Sequence, residues 1–226
     1  LAHGEVRELG SPETDPFREA LPAVSSRFQA LDGRLEELRA SVDIAPYLED
    51  DDRAEGALGE LFAAGCRRCV EELETPENTF FEVESASGGR RSCPAIHLRW
   101  KRMVTGAGGV DAEWHVCLRV LLRENHTAYN HRLQAAMVES GIARHLSRRR
   151  LVILRPEGIP LGGKVGPRIT EDFLKAGGVF MPPVEDDLRT LAAVVRMGEE
   201  LSGASAPEEE GAFKVWLRER KPLSSL

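Results

Sequence analysis

The amino-acid sequence predicts a mixed α/β fold of the α+β kind, in which an N-terminal helical hairpin precedes a sheet. Apolar residues recur at helical spacing in the first third of the chain, which predicts the hairpin. Two later segments alternate strictly between apolar and polar residues, which predicts antiparallel strands. The continuous apolar run at residues 151–154 is typical of a strand buried on both faces, and it predicts a parallel β-α-β unit followed by C-terminal helices.

The first helix is predicted to begin at Asp15-Pro16, with a kink or restart at Pro22 and an end at Pro46. Its apolar residues follow a heptad pattern: Val24, Phe28, Leu31, Leu35, Leu38 and Val42. A second helix is predicted after the acidic residues 50–52, with its own apolar side: Leu58, Leu61, Phe62, Cys69, Val70 and Leu73. Two helices joined by so short a turn predict an antiparallel hairpin.

Three strands are predicted next, at residues 80–84, 96–101 and 114–122, with glycine-containing hairpin loops between them. A helix is then expected from about residue 128 to residue 146. After the buried strand at residues 151–154, a glycine-rich loop leads to Thr170, which is expected to cap a helix at residues 171–176. A short strand at residues 179–181 and a long helix from Glu185 complete the β-α-β unit.

The chain has 226 residues, of which 42% are hydrophobic and 30% charged, values ordinary for a globular protein. We divide it into residues 1–48 as a flexible leader and heptad helix, residues 49–202 as the mixed α/β core, and residues 203–226 as a linker and short amphipathic helix. The four cysteines, without a visible signal peptide or membrane span, predict a cytoplasmic protein. The missing initiator methionine and abrupt end suggest a piece of a longer polypeptide.

The stretch LVILRPEGIPLG, followed by FLKAGGVFMPPVEDDLRTL, resembles a region of large bacterial AAA-type ATPases from phage-defence (BREX-like) clusters. In those proteins the region lies downstream of the ATPase core, and the resemblance covers about residues 148–197. It implies that this chain is an accessory domain of a genome-defence ATPase. The motif carries no catalytic residue, so the resemblance implies no functional site.

The predicted order of helix, three strands, helix and strand is also that of a restriction-endonuclease-like core. Such nucleases hold a divalent ion with acidic groups on the central hairpin and a nearby lysine, usually as Glu-x-Lys. Here the second strand offers His97, Arg99 and Lys101 and no carboxylate, and the third offers only Glu113 at its start. An active nuclease is therefore disfavoured, whereas a fold of this type that has lost its chemistry stays open.

A metal site is one interpretation of Cys66, Cys69, Cys93 and His97, because this is the residue order of zinc ligands. The alternative is that Cys66 and Cys69 are core residues, since both lie in a helical pattern and free cysteines are commonly buried. A third interpretation is a redox pair, which requires a lowered thiol pKa that Arg67 and Arg68 could favour. No organic cofactor is predicted.

Three further groups of residues are candidates for binding or chemistry. The basic cluster Arg144, Arg148, Arg149 and Arg150 could contact DNA phosphates, although no aromatic residue is interleaved with it for base stacking. Glu124, His126 and His131 could serve acid–base chemistry, but no Ser or Cys nucleophile stands beside them in a known motif, so solvated loop histidines are the favoured interpretation. The amphipathic segment with Phe213, Trp216 and Leu217 predicts an interface, with either a separate protein or the rest of its own chain.

Together these patterns favour a non-enzymatic protein-interaction domain, with DNA contact open, in a larger cytoplasmic bacterial protein of antiviral defence. The expected partners are a protein or other domains of the same polypeptide, and no membrane. The net charge of −7 argues against broad, nonspecific nucleic-acid binding and leaves room for a local basic patch. The alternative function is a metal-dependent nuclease-like enzyme, active or degenerate.

Overall fold

The computed structural model describes residues 16–73, 75–85, 94–106, 111–157, 165–202 and 207–224, and within these ranges it describes the side chains from residue 25 onward except that of Asp111. Six α-helices lie in these ranges: α1 (Pro16–Ser41), α2 (Asp52–Glu72), α3 (His126–Ser140), α4 (Val165–Lys175), α5 (Glu185–Ser202) and α6 (Pro207–Arg220). The five strands are β1 (Thr79–Ser85), β2 (Leu98–Thr105), β3 (Asp111–Val120), β4 (Arg149–Leu154) and β5 (Val179–Met181).

The five strands form one sheet in the order β1-β2-β3-β4-β5. The strands β1, β2 and β3 pair as an antiparallel meander, whereas β3 with β4 and β4 with β5 are parallel pairs. The helix α3 connects β3 to β4, and α4 connects β4 to β5, as parallel pairing requires. The predicted mixed α/β fold class is therefore confirmed, including the N-terminal helices and the parallel β-α-β unit.

Helices cover both faces of the sheet, because two hydrophobic cores lie on opposite sides of it. One core joins α1, α2, α5 and α6 to the sheet through Leu98, Leu118 and Val120. The other joins α3 and α4 to the sheet through Cys117, Leu151 and Ile153. The alternation of side chains along β3 explains this division, since neighbouring residues of a strand point to opposite faces.

The helix boundaries differ from the predictions where backbone geometry overrides the sequence pattern. The helix α1 continues through Pro22, where the sequence predicts a kink or restart. Helix α3 ends at Ser140 instead of residue 146, because Gly141 adopts a left-handed conformation with φ 85° that stops the helix. Helix α4 begins at Val165, so Thr170 lies inside the helix and does not cap it. Pro167 fits there because amides of the first turn need no helical partner.

The C-terminal helix α6 is part of the core. It begins at Pro207, within the segment predicted to be a linker, and Phe213, Trp216 and Leu217 are all fully buried. Trp216 Nε1 also donates a hydrogen bond of 2.8 Å to Asp32 of α1. Of the two interfaces predicted for these three residues, the structure shows the one with the rest of the chain and not one with a separate protein, because the chain itself buries them.

In the part of the chain that the structure describes, no helix is both long enough and apolar enough to cross a membrane.

Candidate functional site

A tryptophan and two arginines meet at the end of the sheet where β2 finishes and β3 begins. Arg102 of β2 and Trp114 of β3 are partners in the strand register. Arg148 precedes β4, and its carbonyl oxygen accepts a hydrogen bond of 2.9 Å from the amide of His115, beside Trp114. The guanidinium carbons of Arg102 and Arg148 lie 5.4 Å and 4.9 Å from the centre of the Trp114 ring. We call Arg102, Trp114 and Arg148 the basic–aromatic cluster.

The basic–aromatic cluster is accessible to a ligand. Arg102 and Arg148 are exposed, and 36% of the Trp114 surface is open to solvent. Neither arginine makes an ion pair with a carboxylate of the described residues. Arginine stacks on indole rings through cation–π attraction, which here holds both guanidinium groups beside the tryptophan without neutralising their charge.

The other predicted DNA-contacting arginines lie at the same end of the sheet but do not join the cluster. Arg149 is the register partner of His115, and Arg150 is that of Val116. Arg144 lies in the short 3-10 helix Ile142–Arg144 that follows α3. Arg144 and Arg150 are exposed, and Arg149 is half-buried. The structure thus brings Arg148 to an aromatic residue and spreads the other three around the sheet end.

A second group of charged residues lines the antiparallel part of the sheet. Glu82, Lys101 and His115 are register neighbours across β1, β2 and β3, so their side chains project from the same face. Lys101 Nζ forms ion pairs with Glu84 and with Glu82, the latter at 3.3 Å. The ion pair with Glu84 raises the pKa of Lys101, so this lysine is a firmly protonated cation.

His115 is the buried member of this second group. Its Nε2 lies 2.7 Å from Glu113 Oε1, within ion-pair distance, although the angles do not make a hydrogen bond. Burial lowers the pKa of His115, and the positive charge of Arg149 acts in the same direction. The ring is therefore neutral near pH 7, and Glu113 is the carboxylate best placed to interact with it.

A buried carboxylate, Glu55, connects α2 to the sheet and to α3. Glu55 and Arg119 are both fully buried, and Arg119 Nη2 donates to Glu55 at 2.9 Å. Arg132 of α3 donates to the same carboxylate at 2.8 Å, and the backbone amides of Leu122 and Arg123 donate at 3.0 and 3.3 Å. Burial raises the pKa of Glu55 while the two arginines lower it. Through these hydrogen bonds, the Glu55 carboxylate links α2 to β3 and to α3.

His97 lies beside this network and links two further segments of the chain by hydrogen bonds. Its Nδ1 accepts a hydrogen bond of 3.0 Å from the amide of Val120, and its Nε2 lies 3.4 Å from Arg119 Nη1. Burial lowers the pKa of His97 to about 3, with Arg119 acting in the same direction. The ring is neutral at physiological pH and joins the end of β3 to the segment before β2.

The predicted zinc ligands are only partly described, because Cys93 lies outside the described residues. Cys66 and Cys69 pack against the core that α2 shares with α5 and α6. Burial raises the pKa of the Cys66 thiol to about 11 and that of Cys69 to about 12. These values correct the redox interpretation, which requires lowered thiol pKa values. Among the described residues, no group of three or more His, Cys, Asp or Glu side chains could hold a metal ion.

The acid–base candidates Glu124, His126 and His131 lie around the start of α3. His126 and His131 line a shallow hollow together with Thr127, Asn130, Gln134, Val165 and Ile169. Glu124 is exposed outside that hollow, next to Asn125, whose side chain caps α3 by accepting from Thr127 and Ala128 amides. The structure thus brings the two histidines together and leaves the carboxylate apart from them.

Sequence patterns do not predict the pairing of Arg102 and Arg148 with Trp114 or the Glu55 network. Arg102 follows the predicted strand at residues 96–101, and the sequence does not give the strand register that sets it beside Trp114. The sequence carries no signal for Glu55, because one acidic residue in a first helical turn ordinarily faces solvent.

No protein-family model, no curated protein and no solved structure matches this chain.

Proposed function

We propose that this chain is a non-enzymatic interaction domain that contacts the backbone of DNA at the end of the sheet carrying the basic–aromatic cluster. The proposal rests on the position of exposed Trp114 beside two exposed arginines that make no ion pair with a described carboxylate. Arginine side chains bind phosphate groups through charge-assisted hydrogen bonds, and an exposed indole ring can stack on an unpaired base. Both kinds of contact are available within one small surface.

The charge distribution favours DNA contact at one local surface over DNA contact across the whole protein. The whole chain carries a net charge of −7, which repels nucleic acid from most of its surface. At this end of the sheet, however, Arg144, Arg149 and Arg150 add positive charge beside the basic–aromatic cluster. A local basic surface on an acidic protein favours docking in one orientation, because other orientations bring like charges together.

We place this domain in a larger cytoplasmic bacterial protein, with a genome-defence ATPase as the proposed setting. The support is the sequence resemblance over about residues 148–197, a stretch that begins with Arg148 of the basic–aromatic cluster. Other domains of that polypeptide, or a separate protein, would be the protein partners. In this setting the domain would hold the assembly on DNA while another domain supplies the chemistry.

A role without catalysis is supported by the way the buried carboxylate is used. Glu55 accepts hydrogen bonds from two arginines and two backbone amides, which occupy the lone pairs that a metal ion or a substrate proton would need. Lys101 is likewise engaged by two glutamates. Side chains engaged in this way act as structural links between elements.

The experiment that tests the proposal is a fluorescence-anisotropy titration of labelled duplex and single-stranded DNA with the protein. A variant that combines Arg148→Ala, Arg149→Ala and Arg150→Ala is expected to bind about tenfold more weakly or worse, since phosphate contacts dominate affinity. The matched control combines Arg168→Ala on α4 with Arg189→Ala and Arg196→Ala on α5, which also removes three positive charges, and its affinity should equal that of the unmodified protein. Equal affinity for the triple variant and the unmodified protein would exclude this surface.

The second candidate function is a metal-dependent nuclease-like enzyme. The residue types that it needs are present along the antiparallel strands, as Glu82, Glu84, Lys101, Glu113 and His115, but among the described residues they do not gather into a group that could hold a metal ion. Incubation of a supercoiled plasmid with the protein and Mg²⁺ or Mn²⁺ tests it. Cleavage that EDTA stops and that Lys101→Ala abolishes would establish the enzyme and overturn the proposal of a non-enzymatic domain.

A further inference from the structure

Arg155 is a buried arginine at the carboxyl end of β4, and only 6% of its surface is exposed. Its Nη1 donates to the carbonyl oxygens of Leu121 and Arg123 at 3.2 and 3.1 Å, just beyond the end of β3. The guanidinium carbon lies 4.6 Å from the centre of the Tyr129 ring. These contacts fix the guanidinium group between two parallel strands and α3.

The remaining edge of this guanidinium has no partner among the described residues. Both Nε and Nη2 of Arg155 are buried without a hydrogen-bond acceptor, and no carboxylate of the described residues forms an ion pair with them. Burying a cation without hydrogen-bond acceptors costs free energy of folding. In agreement with this, burial lowers the pKa of Arg155. The N–H bonds of Nε and Nη2 run side by side, which is the spacing that the two oxygens of a carboxylate match.

Arg155 also lines a surface hollow at the carboxyl ends of β4 and β5. The other lining residues are Pro156, Glu157, Thr170, Leu174, Phe180 and Pro182. In open α/β sheets, ligands bind beyond the carboxyl ends of parallel strands, because loops and helices leave a crevice there. Leu174 and Phe180 give this hollow apolar walls, while the Thr170 hydroxyl is held 2.8 Å from the Tyr129 hydroxyl.

The charges around the hollow indicate what kind of anion it accepts. Glu157 is an exposed carboxylate in its lining, and the charges of Glu55, Asp50 and Glu124 act on Arg155 from farther away. These negative charges oppose a dianion more strongly than a monoanion. The side chain of Leu174 is 52% exposed, and such side chains change rotamer readily to admit a ligand.

We infer that this hollow binds a small monoanionic carboxylate with an apolar body, whose two oxygens accept hydrogen bonds from Nε and Nη2 of Arg155. The apolar body lies against Leu174 and Phe180. The hollow lies at the opposite end of β4 from the basic–aromatic cluster, so binding there does not depend on DNA contact.

Isothermal titration calorimetry with benzoate, benzamide and phenyl phosphate tests this site. Benzoate is expected to bind at millimolar concentrations, benzamide to show no binding, and phenyl phosphate to bind more weakly than benzoate. No heat of binding with benzoate, or equal binding of benzamide, would overturn the inference. Stronger binding of phenyl phosphate than of benzoate would overturn the preference for a carboxylate.

Two variants locate the site. Arg155→Met is expected to remove benzoate binding, and if that variant does not fold, Leu174→Trp is expected to remove it by filling the hollow. The variant with Arg148, Arg149 and Arg150 changed to alanine should bind benzoate as the unmodified protein does. Unchanged benzoate binding in a folded Arg155→Met or Leu174→Trp variant would contradict the assignment.

Discussion

Arg148 holds its guanidinium carbon 4.9 Å from the centre of the Trp114 ring, although Trp114 lies in β3 and Arg148 immediately precedes β4. The sheet produces this contact, because the carbonyl of Arg148 accepts the hydrogen bond from His115 that begins the pairing of β3 with β4. Arg148 has φ 61°, a left-handed conformation that is uncommon outside glycine. Sheet pairing thus sets an exposed arginine beside an exposed indole ring.

Trp114→Ala is expected to weaken binding of single-stranded DNA by about 1–3 kcal/mol, the usual cost of removing one base-stacking aromatic residue. Binding of duplex DNA should change less, because paired bases are not available for stacking. Fluorescence anisotropy with a labelled oligonucleotide in both forms measures the difference. The control is Phe80→Ala, which removes another exposed aromatic side chain, on β1. Equal reductions in affinity for the two variants would show that Trp114 has no special part in binding.

Glu55→Gln is expected to lower the free energy of unfolding by about 3–5 kcal/mol, because it leaves Arg119 and Arg132 without their shared buried anion. Urea denaturation followed by circular dichroism measures the change. Glu60→Gln removes an exposed carboxylate from the same helix and should alter stability by no more than about 0.5 kcal/mol. A Glu55→Gln protein as stable as the Glu60→Gln protein would show that the network does not hold α2 and α3 to the sheet.

The stability of the protein should fall in mildly acidic solution because of His97. Folding lowers the pKa of His97 from 6.5 to about 3, so between these values the unfolded chain binds the additional proton. The free energy of unfolding therefore decreases as the pH falls through this window, by up to about 1.4 kcal/mol per pH unit for this group. The lowered pKa of His115 acts in the same direction.

Urea denaturation at a series of pH values between 7 and 4 tests the role of His97. His97→Asn keeps an acceptor for the Val120 amide and removes the titrating ring, so its stability should depend less on pH. His126 is exposed, so the stability of the His126→Asn variant should depend on pH as that of the unmodified protein does. If His97→Asn keeps the full pH dependence, other groups cause it.

Two glycines of α2 are expected to respond oppositely to the same substitution. At Gly56, an added Cβ would meet nothing within 4 Å, so Gly56→Ala should stabilise the protein by about 0.5–1 kcal/mol through helix propensity. At Gly65, an added Cβ would overlap Leu191 of α5, so Gly65→Ala should destabilise it by about 1–3 kcal/mol. Thermal unfolding of both variants measures the two effects. Stabilisation by Gly65→Ala would show that α2 and α5 are not closely packed at this point.

The sequence is sufficient to predict the fold class because each main element has a strong local pattern. The apolar run at residues 151–154 predicts a buried strand, and the heptad spacing predicts α1. The boundaries are less predictable, since they depend on single backbone conformations. At Gly141 the left-handed conformation ends α3, whereas the pattern of apolar residues suggests that the helix continues.

The candidate site is less predictable than the fold because its residues are far apart in sequence. The basic residues 144–150 suggest DNA contact, yet the aromatic residue beside them comes from β3 and a second arginine from β2. Likewise, the sequence predicts that the buried strand ends at residue 154 and carries no signal for a role of Arg155. Its two unpartnered nitrogens depend on the packing of Tyr129 and on the carbonyl groups that follow β3.

The salt dependence of DNA affinity is the most direct test of the proposed phosphate binding. For the unmodified protein, the logarithm of the association constant should fall linearly with the logarithm of the salt concentration. The variant with Arg148, Arg149 and Arg150 changed to alanine should give a slope shallower by roughly 0.7–0.9 for each phosphate that it no longer neutralises. Identical slopes for the two proteins would contradict DNA binding by this end of the sheet.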